Sequence, residues 1–457
     1  MKKLLCIALA IALFACKDEV KPDYAIITGK ITNKQEGDLT INSDDRSFKE
    51  TLEVTNDGSF IDTLSTDIKS YVLYDGKNPI FLNIEPGYTL NITYDAKDFD
   101  NTIAITGIGS EVNNYLVAKR KGEKELSKQN KEVFSLDESA YKEKITAFKN
   151  SQEELLSNFE GLSADFIAKE KRNLNYGYLS KLNTYERAHK YFTKNEGFKV
   201  SEDFLKEVRE LDYSNIEDFE FSNNYKGLVN DHYTNIANKL AEKDSIANDM
   251  AFLKTASAID SETIKNTLLF DFANYNMTYS EDVTAFYNSF KANSTNEKNN
   301  GIINEKYNKL MALAKGSPSP KFVGYENYAG GKTSLDDLKG KYVYVDVWAT
   351  WCGPCKREIP FLKEVEEKYH GKNIEFVSIS IDRVADHEKW KTMVNEKELG
   401  GVQLFADNDW NSDFVKEYQI QGIPRFILID SKGNIVDSNA PRPSSKELIK
   451  LFDEQSI

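Results

Sequence analysis

Trp351-Cys352-Gly353-Pro354-Cys355-Lys356 holds two cysteines at the spacing of dithiol–disulfide exchange. A strand-like run, Tyr342-Val343-Tyr344-Val345-Asp346-Val347-Trp348, leads into it, and a helix-like run from Lys356 to Tyr369 leaves it. At such a junction the first sulfur meets unpaired helix N–H groups and the positive end of the helix dipole, both of which favour a thiolate. The second sulfur sits one turn on, near enough to close a disulfide onto the first. Pro354 suits the first helical turn, where its missing N–H costs nothing. Cys352 is therefore the candidate attacking thiol, expected to be the more exposed of the two, and Cys355 the resolving thiol.

The chain has 4 cysteines: Cys6, Cys16, Cys352 and Cys355. Cys6 lies in an apolar run, Leu4 to Phe14, behind a basic Met1-Lys2-Lys3 start. That pattern reads as a secretory leader, too short to span a bilayer comfortably. It ends in Leu13-Phe14-Ala15-Cys16, which resembles a bacterial lipobox. Cleavage before Cys16 would remove residues 1–15 and leave Cys16 as the lipidation site, so Cys352 and Cys355 would be the only free thiols. An ordinary signal peptide cut elsewhere is the alternative. Zinc needs two further ligands at suitable spacing, and His189, His232, His370 and His387 are scattered. No metal and no cofactor is expected. Peroxidase chemistry fits poorly, because Thr350 stands two residues before Cys352 where peroxiredoxins have a threonine three before.

A length of 457 residues allows two to four domains. The net charge of −14 argues against nucleic acid or an anionic lipid surface as partner. Prolines divide the chain, since none falls between Pro86 and Pro318. Residues 24–110 read as an antiparallel β-domain, from runs such as Ala25 to Ile31, the alternating Tyr88 to Tyr94, and the Asn56-Asp57-Gly58 turn. Residues 111–315 read as an all-helical domain. Tyr141, Ile145, Phe148, Leu155 and Phe159 recur at helical spacing, and Ser135-x-x-Glu138 suggests a capping box. Its abundant aromatics, Tyr176, Tyr178, Tyr185, Tyr191 and Phe192, are expected in the core rather than along a groove. The polar stretch Asn293 to Asn300 reads as a loop.

Gly316-Ser317-Pro318-Ser319-Pro320 marks a boundary, after which strands and helices alternate to the C-terminus. Ser444-x-x-Glu447 suggests the cap of a closing helix. Such alternation implies an α/β sheet with helices on both faces, so the chain is multidomain.

Residues 318–457 resemble the thioredoxin-fold domain of the TlpA/ResA-like membrane-tethered thiol–disulfide oxidoreductases. The likeness rests on Pro320-x-Phe322, the run Ser334 to Val343, the motif Val347 to Cys355 with Arg357-Glu358-Ile359-Pro360 behind it, and Gly422-Ile423-Pro424. The resemblance implies that Pro424 follows a cis peptide bond and leaves the Ile423 backbone free to pair with a substrate beside Cys352. Trp351, Ile423 and Pro424 would then form the substrate-binding surface. Asp346 matches a buried acid that passes a proton to the resolving thiol, and burial should raise its pKa; the alternative turns it to solvent. Glu358 matches an acid near the active-site disulfide. Arg425, where thioredoxins often carry a threonine, would tune substrate charge preference.

The expected function is a membrane-anchored enzyme reducing disulfides of envelope proteins. It would be supplied by a membrane thiol electron donor and held to the lipid bilayer by an N-terminal anchor. Lys17 after the cysteine favours the outer membrane, and Lys17-Asp18-Glu19 also resembles a surface-export signal, so periplasmic and surface faces both stay open. Two other functions fit the sequence: a ligand- or partner-binding lipoprotein with an accessory redox domain, and a disulfide oxidant or isomerase.

Overall fold

Alternating apolar residues build the N-terminal sheets of the computed structural model, which describes residues 22–34, 37–43, 48–65 and 70–457. The expected leader and Cys16 lie outside these residues. Eight strands form two four-stranded sheets: β1 (Tyr24–Thr32), β2 (Leu39–Ser43), β3 (Lys49–Leu52), β4 (Ser59–Ser65), β5 (Ser70–Tyr74), β6 (Pro79–Asn83), β7 (Thr89–Asp95) and β8 (Ala104–Ile108). Their orders are β4-β1-β7-β8 and β3-β2-β5-β6. Ala25, Ile27 and Ile31 from one sheet meet Leu39, Ile41 and Leu73 from the other in a single apolar core. The domain is not wholly antiparallel. β1 and β7 pair in parallel, because the chain builds the whole second sheet between them and returns as a crossover rather than a hairpin.

Helices follow from Ser110. Tyr141 and Tyr185 stack with ring centres 4.1 Å apart, and Tyr176, Tyr178 and Tyr185 are buried while Tyr191 is exposed. The helix Glu138–Asn158 is capped by Asp137, which accepts from the Ala140 N–H at 2.9 Å. Ser135 instead donates back to the Lys131 carbonyl of the preceding turn.

The chain divides into two compact units, Met1–Leu228 and Val229–Ile457. The second contains the cysteine pair and, earlier in the chain, the helices Asn248–Ser257, Glu262–Asn276, Val283–Asn293 and Glu297–Ala312. The last of these begins inside the polar stretch that reads as a loop. Asn296 accepts from the Asn299 N–H at 3.0 Å, so the residue types that suggest a loop act as a helix cap.

Seven strands complete this unit: β9 (Tyr325–Asn327), β10 (Lys332–Thr333), β11 (Tyr342–Trp348), β12 (Ile374–Ser380), β13 (Val402–Phe405), β14 (Arg425–Ile429) and β15 (Ile435–Asp437). Their order is β10-β9-β13-β12-β11-β14-β15. β11 is flanked by β12 in parallel and by β14 antiparallel. Its alternation divides the core. Val343, Val345 and Val347 enter one apolar cluster, while Tyr344 enters another with Leu362 and Val365 of the helix Gly353–Lys368. That helix runs through Pro360 without a break. The closing helix Lys446–Glu454 is capped by Ser445, not Ser444.

Candidate active site

The first thing β11 must do is deliver the cysteines to the start of the helix Gly353–Lys368. Cys352 is the N-cap of that helix, and the Cys355 N–H points at its sulfur from 3.1 Å. This is the orphan-donor geometry that stabilises a thiolate once the pair is reduced. The two sulfurs form a disulfide, with Cα atoms 5.3 Å apart.

Cys352 is not the more exposed cysteine: both are 4% exposed. The reason is the loop before β14, whose Ile423 carbonyl oxygen lies 3.8 Å from Cys352 Sγ. The Ile423–Pro424 bond is cis. Trp351, 55% exposed, stands at the site's edge, with its ring centre 6.3 Å from that of Trp410.

Asp382, which the sequence reading passed over, fixes the approach to the motif. It is buried and accepts from the Thr350 N–H at 2.9 Å, the Thr350 hydroxyl at 2.8 Å and the Ser380 hydroxyl at 2.7 Å. Lys356 Nζ donates to the Thr350 carbonyl at 3.0 Å. An acid ending the apolar run Ile379-Ser380-Ile381 was the available signal. Asp382→Ala would strand three donors in the interior. It is expected to cost about 3 kcal/mol of stability, read as a lower urea midpoint.

Asp346 is buried rather than turned to solvent, and its Oδ1 has no hydrogen-bond partner. It lies on the β11 face covered by the active-site helix, beside Tyr344. Burial pushes its carboxyl up to about 8, with the negative charges of Glu358 and Glu366 adding to the effect. Burial also raises Glu366 to about 7.

Glu358 is buried too, but its oxygens accept the Ser444 N–H and hydroxyl, each at 3.0 Å. It ties the active-site helix to the segment before the closing helix, which explains why Ser444 is not that helix's cap.

Arg425 does not face a substrate. It is 2% exposed, donates to the Ser438 carbonyl at 3.0 Å and the Thr278 carbonyl at 3.4 Å, and lies 5.3 Å from the centre of the Tyr279 ring.

A mixed sheet, a Cys-Gly-Pro-Cys helix start and an adjoining cis-proline loop together define a thioredoxin-fold redox domain. The Redoxin family profile matches residues 314–450. The thiol-disulfide oxidoreductase ResA of Bacillus thuringiensis (strain Al Hakam) is 30% identical over 133 residues, covering 29% of this chain and 73% of that protein. ResA of Bacillus subtilis (strain 168) is 29% identical over 136 residues, covering 28% and 72%. Among solved structures, the thioredoxin domain of a thiol-disulfide oxidoreductase from Bacteroides vulgatus is 31% identical, covering 31% of this chain and 98% of that one, with a TM-score of 0.29. A thiol:disulfide interchange protein from a Bacteroides species is 35% identical, covering 28% and 81%, with a TM-score of 0.26.

The chain belongs to the ResA-like thiol-disulfide oxidoreductases of the Redoxin family. It is an enzyme of thiol–disulfide exchange, and its substrates are disulfide-containing molecules. Residues 1–313 lie outside the Redoxin match.

Proposed function

We propose that this oxidoreductase works in the cell envelope as a lipid-anchored reductant of protein disulfides. The observation that carries the chemistry is the Cys352–Cys355 pair at a helix start, closed over by the Ile423–Pro424 loop. The reduced enzyme attacks with the Cys352 thiolate. A bond forms from Cys352 Sγ to one substrate sulfur, the substrate S–S bond breaks, and the other substrate sulfur leaves as thiolate. The Ile423 backbone holds the substrate segment alongside.

Cys355 then gives up its proton and attacks Cys352 Sγ, expelling the second substrate thiol. The second substrate sulfur leaves as a thiolate that solvent protonates, the intramolecular disulfide forms, and two electrons have passed to the substrate. Asp346, the carboxyl poised near neutrality on the strand beneath, takes the Cys355 proton and returns it when the pair is next reduced. A membrane thiol relay supplies those electrons, because the envelope is oxidising.

The anchoring reading rests on the basic start, the apolar run and Ala15-Cys16. A mature chain starting at lipidated Cys16 carries several acyl chains, each buried CH₂ adding about 0.8 kcal/mol of membrane affinity. Mass spectrometry of membrane-extracted protein is expected to show an acylated N-terminal Cys16 peptide; an unmodified Cys16 contradicts the anchor. Outer-membrane residence follows from Lys17 and is tested by separating the membranes by density.

A further inference from the structure

Helix Glu262–Asn276 and the turn Met277–Tyr279 lie outside the Redoxin match, yet they hold the loop that precedes Pro424. Two side chains, Lys306 and Arg425, make the attachment. Buried Lys306, on helix Glu297–Ala312, donates to Gln421 Oε1 at 2.9 Å and to the Asn274 carbonyl. Arg425 reaches back to the Thr278 carbonyl and the Tyr279 ring. Between them sits Gly422: a Cβ placed there would lie 3.0 Å from the Tyr279 hydroxyl and 3.1 Å from the Tyr275 hydroxyl.

The two tyrosines differ in exposure. Tyr279 is half-buried, and its ring centre is 5.8 Å from that of Tyr275. Tyr275 is 53% exposed, an aromatic ring left in solvent one residue from Ile423. On the other side of Ile423, Pro424 has no N–H to offer a pairing strand. Gln421 and Trp410 also line a groove of about 820 Å³ beside helix Glu297–Ala312. A chain leaving Ile423 past Gly422 therefore meets the Tyr275 side chain.

We propose that Tyr275 is a specificity-determining residue of the redox site. It forms, with Gly422, a wall against which an extended polypeptide lays an apolar or aromatic side chain one or two residues from its disulfide cysteine. The inference rests on the reading that a substrate segment pairs with the Ile423 backbone. Successive residues in an extended chain advance about 3.3 Å, so a segment with its sulfur at Cys352 brings its flanking side chain to Gly422 within one or two steps. Gly422 lets the Tyr275 hydroxyl approach the backbone closely, and the exposed Tyr275 ring supplies the apolar surface. Discrimination among substrates would then come from a helix outside the thioredoxin fold itself.

The test uses the full chain and two disulfide-bonded peptides that differ only in having Phe or Gly two residues from the cysteine. The parent is expected to favour the Phe peptide about tenfold in kcat/KM, carried by KM, which is the scale of one apolar contact. Tyr275→Ala is expected to erase the preference, and Tyr275→Phe to keep it. Gly422→Ala, whose Cβ crowds both hydroxyls, is expected to reduce it without removing the ring. A parent with no preference, or a Tyr275→Ala variant that retains it, overturns the inference. So does loss of the preference through kcat alone. A parent that reduces neither peptide, although dithiothreitol opens its own disulfide, overturns the reductase reading and this inference with it.

Discussion

Cys355→Ser is expected to stall the enzyme as a mixed disulfide with its substrate, with turnover falling by at least about a thousandfold, the scale on which loss of a covalent group is felt. Cys352 keeps its position at the helix N-cap and still attacks, but nothing remains to break the bond it makes. Cys352→Ser is expected to lose turnover to the same degree without trapping anything, because Cys355 lies inside the helix Gly353–Lys368 and lacks the N-cap position that favours a thiolate. Non-reducing gels of both variants with a disulfide-bonded protein read this directly. Adducts from Cys352→Ser and none from Cys355→Ser reverse the assignment of attacking and resolving thiols.

Asp346→Asn is expected to slow disulfide reduction roughly 100-fold near neutral pH and to remove an inflection near pH 8 from the pH–rate profile. The carboxyl titrates at about 8 because it is desolvated beside Glu358 and Glu366, so the parent's proton transfer should change over there. Stability carries the same signature. A carboxyl raised in the folded state favours folding fully only below its unfolded value, about 3.9. The advantage is lost at about 1.4 kcal/mol per pH unit as pH climbs from there towards the folded value. The parent should therefore weaken between about pH 4 and 8, and Asp346→Asn should lack that part of the slope. Glu358→Gln removes a neighbouring charge, so it is expected to shift the inflection downward without abolishing it. It should also loosen the Ser444 contact. An unchanged profile in Asp346→Asn, with the inflection lost in Glu358→Gln, moves the proton relay to Glu358.

Much of the site was legible because its residues are close in sequence and their types are restrictive. Cys352, Cys355 and Pro354 announce a helix start, and the β11 alternation separates Asp346 from the three valines. What escaped depends on residues far apart. The exposure of Cys352 could not be read from the motif, because Ile423, 71 residues later, covers it. Arg425 looked like a substrate-facing charge until Thr278 and Tyr279, about 147 residues upstream, took it up. The Ser444 partners of Glu358 lie 86 residues away, where no local pattern shows them. In the N-terminal domain the strand positions were readable, but the parallel β1–β7 pair was not, since alternation fixes which face is buried and not strand direction. Helix caps slipped by one or two residues wherever several capping types stood together, as at Ser135 and Asp137 or Ser444 and Ser445.

Reduction by this enzyme requires the Cys352–Cys355 pair to be a better electron donor than the disulfides it meets. Equilibrating the full chain with defined ratios of reduced and oxidised dithiothreitol or glutathione, and counting free thiols at each ratio, gives the midpoint potential of the pair. A value near about −270 mV, that of a Gly-Pro dithiol of thioredoxin type, agrees with a reductant. A value near about −120 mV makes the pair a disulfide donor and contradicts the proposed direction of electron flow.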